Sequence, residues 1–180
     1  MGKTVLVLSG SPRKGGNSDT LCDQFIAGVM ESGHTAEKIH VHEQRIGFCK
    51  ACYTCRENGI CMQKDDMEKI LDKMVSADVI VLATPVYYYS MNGQMKTLID
   101  RTLPRYYTVV KISGKDFYFI VTAAEDKNTM ERTVDGLRGF TECLPEANIK
   151  GIIYGANTWE HGNIQGSTAM QEAYEAGKQI

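Results

Sequence analysis

Short runs of branched apolar residues, each stopped by turn formers and followed by helical spacing, dominate this sequence. Val5-Leu6-Val7-Leu8 ends in Ser9-Gly10-Ser11-Pro12, and Val79-Ile80-Val81-Leu82-Ala83 ends in Thr84-Pro85. A strand that is apolar on both sides needs cover on both faces, which is the situation of a parallel sheet sandwiched between helices. Behind the first run, Leu21, Phe25 and Val29 recur every four residues, with Asn17 or Ser18 placed to cap a helix and Gly33 to end it. Residues 35–41 alternate weakly as a second strand. Asp65-Asp66 caps a helix in which Met67, Ile70, Leu71, Met74 and Val75 complete one apolar stripe. A third strand at 78–83 leads through Thr84 to Asn92 into helical spacing at Met95, Leu98, Ile99 and Thr102. Strands at 117–122 and 149–154 then alternate with helices at 129–143 and 168–179.

Five strands alternating with five helices, joined by right-handed crossovers, predict an α/β fold: a three-layer, doubly wound, five-stranded parallel sheet. At 180 residues, the chain is the size of one domain, 1–180, with a Cys-rich loop at 43–64. That connection exceeds the usual length of a loop, which itself points to function.

Charge narrows the functional classes. Twenty Lys and Arg stand against 22 Asp and Glu, with no basic stripe, so a nucleic-acid partner is disfavoured. The apolar runs are far shorter than the ~20 residues of a membrane span. The Met1-Gly2 start carries Leu6 where a myristoylation signal needs Ser or Thr, and no signal-peptide core follows. These features predict a cytoplasmic protein without a membrane partner.

Ligands of open parallel sheets bind beyond the carboxyl ends of the strands. The loop Ser9 to Thr20 after the first strand combines glycines, hydroxyls at Ser9, Ser11, Ser18 and Thr20, an Asn, cations and a helix N-terminus. Such a set favours a phosphate. Gly10-x4-Gly15 matches half of a Walker A motif, but Gly16-Asn17 replaces its Lys and Ser/Thr, and no Gly-x-Gly-x-x-Gly is present. A mononucleotide monoester fits better than a triphosphate or a dinucleotide. The loop after the third strand holds Tyr87, Tyr88 and Tyr89, suited to a flat heterocycle.

Together, Ser9-Gly-Ser-Pro-Arg-Lys-Gly-Gly-Asn-Ser18 and Thr84-Pro-Val-Tyr-Tyr-Tyr-Ser-Met-Asn-Gly-Gln-Met-Lys-Thr-Leu-Ile-Asp-Arg101 resemble the two FMN signatures of the flavodoxin-like NAD(P)H-dependent FMN reductases, in the subgroup that includes the iron–sulfur flavoproteins. Gly155 to Ile164 and the closing Ala-Tyr-Glu-Ala-Gly-Lys extend the resemblance to nearly the whole chain. It implies a flavodoxin-like sheet and an FMN phosphate held by Ser11, Arg13, Asn17 and Ser18, with Ser9 and Thr20 nearby. It also implies a flavin ring met by Pro85, Val86, Tyr87 and Tyr88, and closed over at its other edge by the loop Thr122-Ala123-Ala124-Glu125, with Ala123 and Ala124 against the ring. NAD(P)H would be the transient donor, a small molecule or protein the acceptor, and a homodimer or homotetramer the assembly. The flavin carries the chemistry, so no catalytic acid, base or nucleophile is required of the protein.

Four of the six cysteines crowd together as Cys49-x2-Cys52-x2-Cys55-x5-Cys61, while Cys22 and Cys143 stand apart at apolar helical positions. The four can ligate a [4Fe–4S] cluster, making the protein an electron carrier, although Met62 stands where ferredoxins carry Pro. A Cys₄ zinc site, a cycling thiol pair and unliganded thiols are the other readings, with a non-enzymatic redox-sensing or zinc-binding module as the limiting case. His40, His42 and His161 read as surface residues.

Overall fold

The computed structural model describes residues 2–180. Five strands run parallel, namely β1 (Thr4–Ser9), β2 (Thr35–His40), β3 (Val79–Tyr87), β5 (Asp116–Thr122) and β6 (Asn148–Gly155). Their order across the sheet is β2-β1-β3-β5-β6, and a two-residue strand β4 (Ser90–Met91) pairs antiparallel with the end of β3. The sheet therefore has six strands, one more than the sequence pattern predicts, and its parallel part follows the flavodoxin-type winding order.

The long helices are α1 (Asn17–Glu31), α3 (Met67–Ser76), α4 (Gly93–Asp100), α6 (Glu131–Glu142) and α7 (Thr168–Lys178), with single turns at α2 (Cys55–Asn58) and α5 (Pro104–Tyr107). The two-residue period of the strands divides the core. Leu6, Leu8, Ile80, Leu82, Phe117 and Phe119 face α3, α4 and α6, whereas Val5, Val7, Val79, Val81 and Ile120 face α1 and α7. α1 and α7 touch backbone to backbone at Gly28 and Gly177, where any side chain would run into the opposite helix.

Two local expectations are corrected. The segment Thr84 to Asn92 is not a plain loop, since β3 continues to Tyr87 and turns back into β4 through Tyr88 and Tyr89. Both turn residues have positive φ, 52° and 62°, as a two-residue hairpin turn matching the strand twist demands. Glycine normally fills such positions, and each tyrosine there costs ~1 kcal/mol of backbone strain. Of the two isolated cysteines, Cys22 is buried as expected, but Cys143 follows the last turn of α6 and is exposed. No helix among the described residues is long and apolar enough to cross a membrane.

Candidate cofactor site

Neighbouring strands β1 and β3 send the chain to opposite faces, into α1 and α4, and a crevice opens where their carboxyl ends diverge. A cleft of about 560 Å³ occupies this place, within the range of small-molecule sites. Its wall includes Ser11, Arg13, Asn17, Ser18, Pro85, Val86, Tyr87, Tyr88, Ala123 and Ala124. The loops after β1, β3 and β5 thus converge on one cleft. Ser9 and Thr20 do not reach the cleft. The Ser9 hydroxyl is buried behind the loop without a hydrogen-bond partner, and the Thr20 hydroxyl donates back to the Gly15 carbonyl at 3.3 Å.

Two buried side chains shape the phosphate-type loop. Asn92, the N-cap of α4, donates from Nδ2 to the Gly10 carbonyl at 2.5 Å, and its Oδ1 accepts from Met95 N at 3.2 Å and Thr84 Oγ1 at 3.2 Å. Gly10 in turn donates to the Ala83 carbonyl at 2.8 Å, docking the loop on β3. At the far end Asp19 Oδ2 accepts from the N–H of Gly15 at 2.8 Å, where φ is +69°. Lys38 Nζ meets Asp19 Oδ1 at 2.8 Å from β2. Burial pushes the Asp19 carboxyl up, but the Lys38 ammonium and the Gly15 N–H outweigh it and hold it below its ordinary value. Stability from this pair is present above the ordinary 3.8 and is lost as pH falls beneath it. Lys38→Met is expected to cost about 2 kcal/mol at pH 7 and much less at pH 3, read by urea unfolding at both values. An equal cost at both pH values would show that the pair does not stabilise the loop.

The first turn of α1 is capped by Gly16, which has no side chain to satisfy the leading N–H groups. That leaves an anion-binding helix terminus beside the exposed guanidinium of Arg13. Ser18 Oγ lies 2.6 Å from Thr122 Oγ1, joining this turn to the end of β5. Asn17 differs from the expectation of a phosphate ligand. Its Nδ2 donates to the carbonyls of Thr158 (3.0 Å) and Glu160 (2.9 Å), and its Oδ1 accepts from the N–H groups of Gly162 (3.1 Å) and Ile164 (3.4 Å). The side-chain amide is thereby fully engaged within the protein.

Tyr88 projects wholly into solvent at the hairpin tip and Trp159 is 72% exposed, so the cleft has an aromatic rim. Gly16, Tyr89, Thr122, Glu125, Thr129, Thr158 and Trp159 also line it. Gly16 and Tyr89 belong to the two loops singled out in the sequence, and Thr122 and Glu125 to the loop expected over the ring, whereas Thr129, Thr158 and Trp159 were not expected there, although Trp159 sits in a Gly-rich segment, a usable signal. His40 is not a surface residue. Its Nδ1 lies 3.6 Å from Asp19 Oδ1, and its ring packs edge-on against His42.

Away from the cleft, Cys49, Cys52, Cys55 and Cys61 line one small concavity of about 20 Å³. Its floor is Arg101, a buried guanidinium on Asp65 at 2.7 and 2.9 Å, on the Gly47 carbonyl at 2.6 Å and on Cys61 Sγ at 3.5 Å. Asp65-Asp66 is therefore more than a helix cap, since Asp66 also accepts from Arg45 N at 2.8 Å and the pair fastens the start of the cysteine loop. Arg105 fastens its end, through the Gly59 carbonyl, Glu68 and Asp72. Thr54, through its N–H and its hydroxyl, holds the Cys52 thiol below its ordinary pKa, whereas burial pushes Cys55 up. Cys22 is pushed far up by burial and is an unreactive core residue.

No three Cys, His, Asp or Glu side chains among the described residues are grouped to hold a single ion. A zinc ion would require its thiolates within about 4 Å of one another. All four are thiols around one space, and the backbone between Cys49 and Cys55 turns through left-handed Ala51 and Tyr53, φ 49° and 57°.

Comparison with known proteins agrees with this geometry. An iron–sulfur flavoprotein of Archaeoglobus fulgidus is 38% identical over 170 residues, covering 93% of this chain and 83% of that protein. A second iron–sulfur flavoprotein of the same organism is 42% identical over 102 residues, 57% of this chain, and the match spans 46% of that relative's length. The fold is shared with an NAD(P)H:quinone oxidoreductase from Methanothermobacter marburgensis, at a TM-score of 0.72 and 16% identity over 99% of this chain and 96% of that one. The model of the NADPH-dependent FMN reductase family matches residues 4–151. With that match covering most of the chain, including the loops after β1, β3 and β5 that line the cleft, the chain belongs to the NADPH-dependent FMN reductase family of flavodoxin-like, FMN-binding oxidoreductases.

Proposed function

We propose that the cleft binds FMN with its phosphate on Ser11, Arg13, Ser18 and the first-turn N–H groups of α1, and its ring between Pro85–Tyr88 and Ala123-Ala124. The observation that carries this reading is the convergence of both loops on one cleft of ligand size. Bound FMN supplies the redox chemistry, taking hydride from NADH or NADPH and passing electrons to a small-molecule or protein acceptor. The protein's share is binding and orientation. Arg13 and the helix terminus neutralise the phosphate, the hairpin presents aromatic surface to the ring, and the exposed rim leaves a face open to the donor. A single domain, 1–180, carries this activity in the cytoplasm, and the exposed tyrosines and Trp159 suit cover by a second subunit in a homodimer or homotetramer.

Arg13→Ala tests the phosphate assignment. FMN affinity is expected to fall about 10–100-fold, the worth of one charge-assisted hydrogen bond, while affinity for riboflavin, which lacks the phosphate, stays unchanged. Anaerobic titration of the wild-type protein with NADH or NADPH should bleach the flavin band. Protein that neither contains nor takes up FMN would sink the proposal.

A second reading concerns the thiols. In it Cys49, Cys52, Cys55 and Cys61 would hold a [4Fe–4S] cluster that supplies one-electron transfer, as the names of the relatives suggest for those proteins. Iron and acid-labile sulfide assayed on anaerobically purified protein decide it, about four of each per chain being the supporting result.

A further inference from the structure

The segment between β6 and α7, residues 156–167, borders the cofactor cleft through Thr158 and Trp159 as a strap fixed at two points. On one side, Thr158 donates from its N–H to the Ala123 carbonyl at 2.8 Å and from its hydroxyl to the Gly155 carbonyl at 2.9 Å, while Asn157 N reaches the Glu125 carbonyl at 2.8 Å. On the other side, Glu160, Gly162 and Ile164 are gripped by the amide of Asn17. Trp159 lies between these anchors, so its two chain neighbours are held while its side chain is exposed on the cleft wall. Ile164 anchors the strap's far end in the core beside α1 and α7, but between Thr158 and Ile164 the support is thin, since Gly162 has a left-handed backbone with nothing beside it and Glu160 bonds to its neighbour Asn163 besides Asn17.

From this geometry we propose that Asn17 is a positioning residue that holds Trp159 at the mouth of the flavin cleft. The inference rests on FMN occupying that cleft. Its hydrogen bonds all go to the strap, so the side chain contributes to flavin binding by keeping the strap ordered. The phosphate is left to Ser11, Arg13, Ser18 and the helix N–H groups, including that of Asn17 itself. Both flavins must then sense the loss of Asn17 equally, since the strap borders the cleft whether or not the ligand carries a phosphate.

The test uses Asn17→Ala, which keeps the backbone donor and sits at the first residue of α1, where a helix tolerates alanine. Trp159 is the only tryptophan, so its fluorescence reports the strap directly. In FMN-free protein, acrylamide quenching of Trp159 is expected to rise about twofold in the variant as the strap loosens. Affinities for FMN and riboflavin are expected to fall by the same factor, about tenfold, from the cost of ordering the strap on binding. Asn163→Ala, which removes an exposed bond within the strap and lies outside the phosphate loop, should reproduce a weaker form of both effects. If Asn17→Ala weakens FMN but spares riboflavin and leaves quenching unchanged, Asn17 is a phosphate ligand and the proposal fails. If quenching rises with no change in affinity for either flavin, the strap is ordered but idle, and it fails as well. Failure of wild-type protein to bind either flavin would overturn the FMN assignment instead, which separates the two results. Should Asn17→Ala not fold, unchanged quenching and affinity in Asn163→Ala would overturn the proposal.

Discussion

Arg101→Ala is expected to lower the midpoint of thermal unfolding by about 6–20 °C. Arg101 is among the largest fully buried side chains, and it neutralises Asp65 through two hydrogen bonds while holding the Gly47 carbonyl. Removing one partner of a buried pair strands the other charge and typically costs about 3–5 kcal/mol, and each kcal/mol moves the midpoint by about 2–4 °C in a chain of this size. The loss should begin at the cysteine loop, because Arg101 ties Gly47, near the loop's start, to Asp65, just past its last residue. Labelling of Cys55, buried in the wild type, should therefore accelerate in the variant well below the unfolding temperature. A variant with wild-type midpoint and wild-type protection of Cys55 would show that the pair is dispensable.

The second large effect is expected at the crossing of α1 and α7. Gly28→Ala places a methyl group against the Tyr174 carbonyl and the Lys178 N–H, both main-chain atoms that cannot rotate away. Overpacking of a rigid contact costs about 1–3 kcal/mol or more, and the separation of the helices should lower the denaturation midpoint by about 3–10 °C. Gly139→Ala, on α6 with open space around it, serves as the matched control and should be neutral or slightly stabilising. Equal behaviour of the two variants would refute the close contact.

Much of the architecture was legible because each buried strand carries both of its faces in its own sequence. Val5 and Val7 look one way, Leu6 and Leu8 the other, and the five parallel strands and their helices follow from such runs. The hairpin was hidden because tyrosine is a poor marker of a left-handed turn, and only pairing between Val86 and Met91 makes Tyr88 and Tyr89 adopt it. The cofactor cleft was readable from its loop chemistry, yet the duty of individual side chains was not. Asn17 looks like any polar residue at a helix start until the strap, far along the chain, claims its amide. Arg101 looked like the tail of a signature motif, and its burial beneath the cysteines depends on a tertiary contact with Asp65 that no periodicity records. Thr20, conversely, had suitable chemistry but the wrong side of the turn.

The bonds from Asn17 to the strap span between 141 and 147 residues of sequence. During synthesis, at about 5–20 residues per second, the phosphate loop leaves the ribosome many seconds before the segment that closes beside it. The half-made chain thus carries an anion-binding helix terminus without its tryptophan cover. A cleft complete with its strap is therefore a property of the finished chain alone.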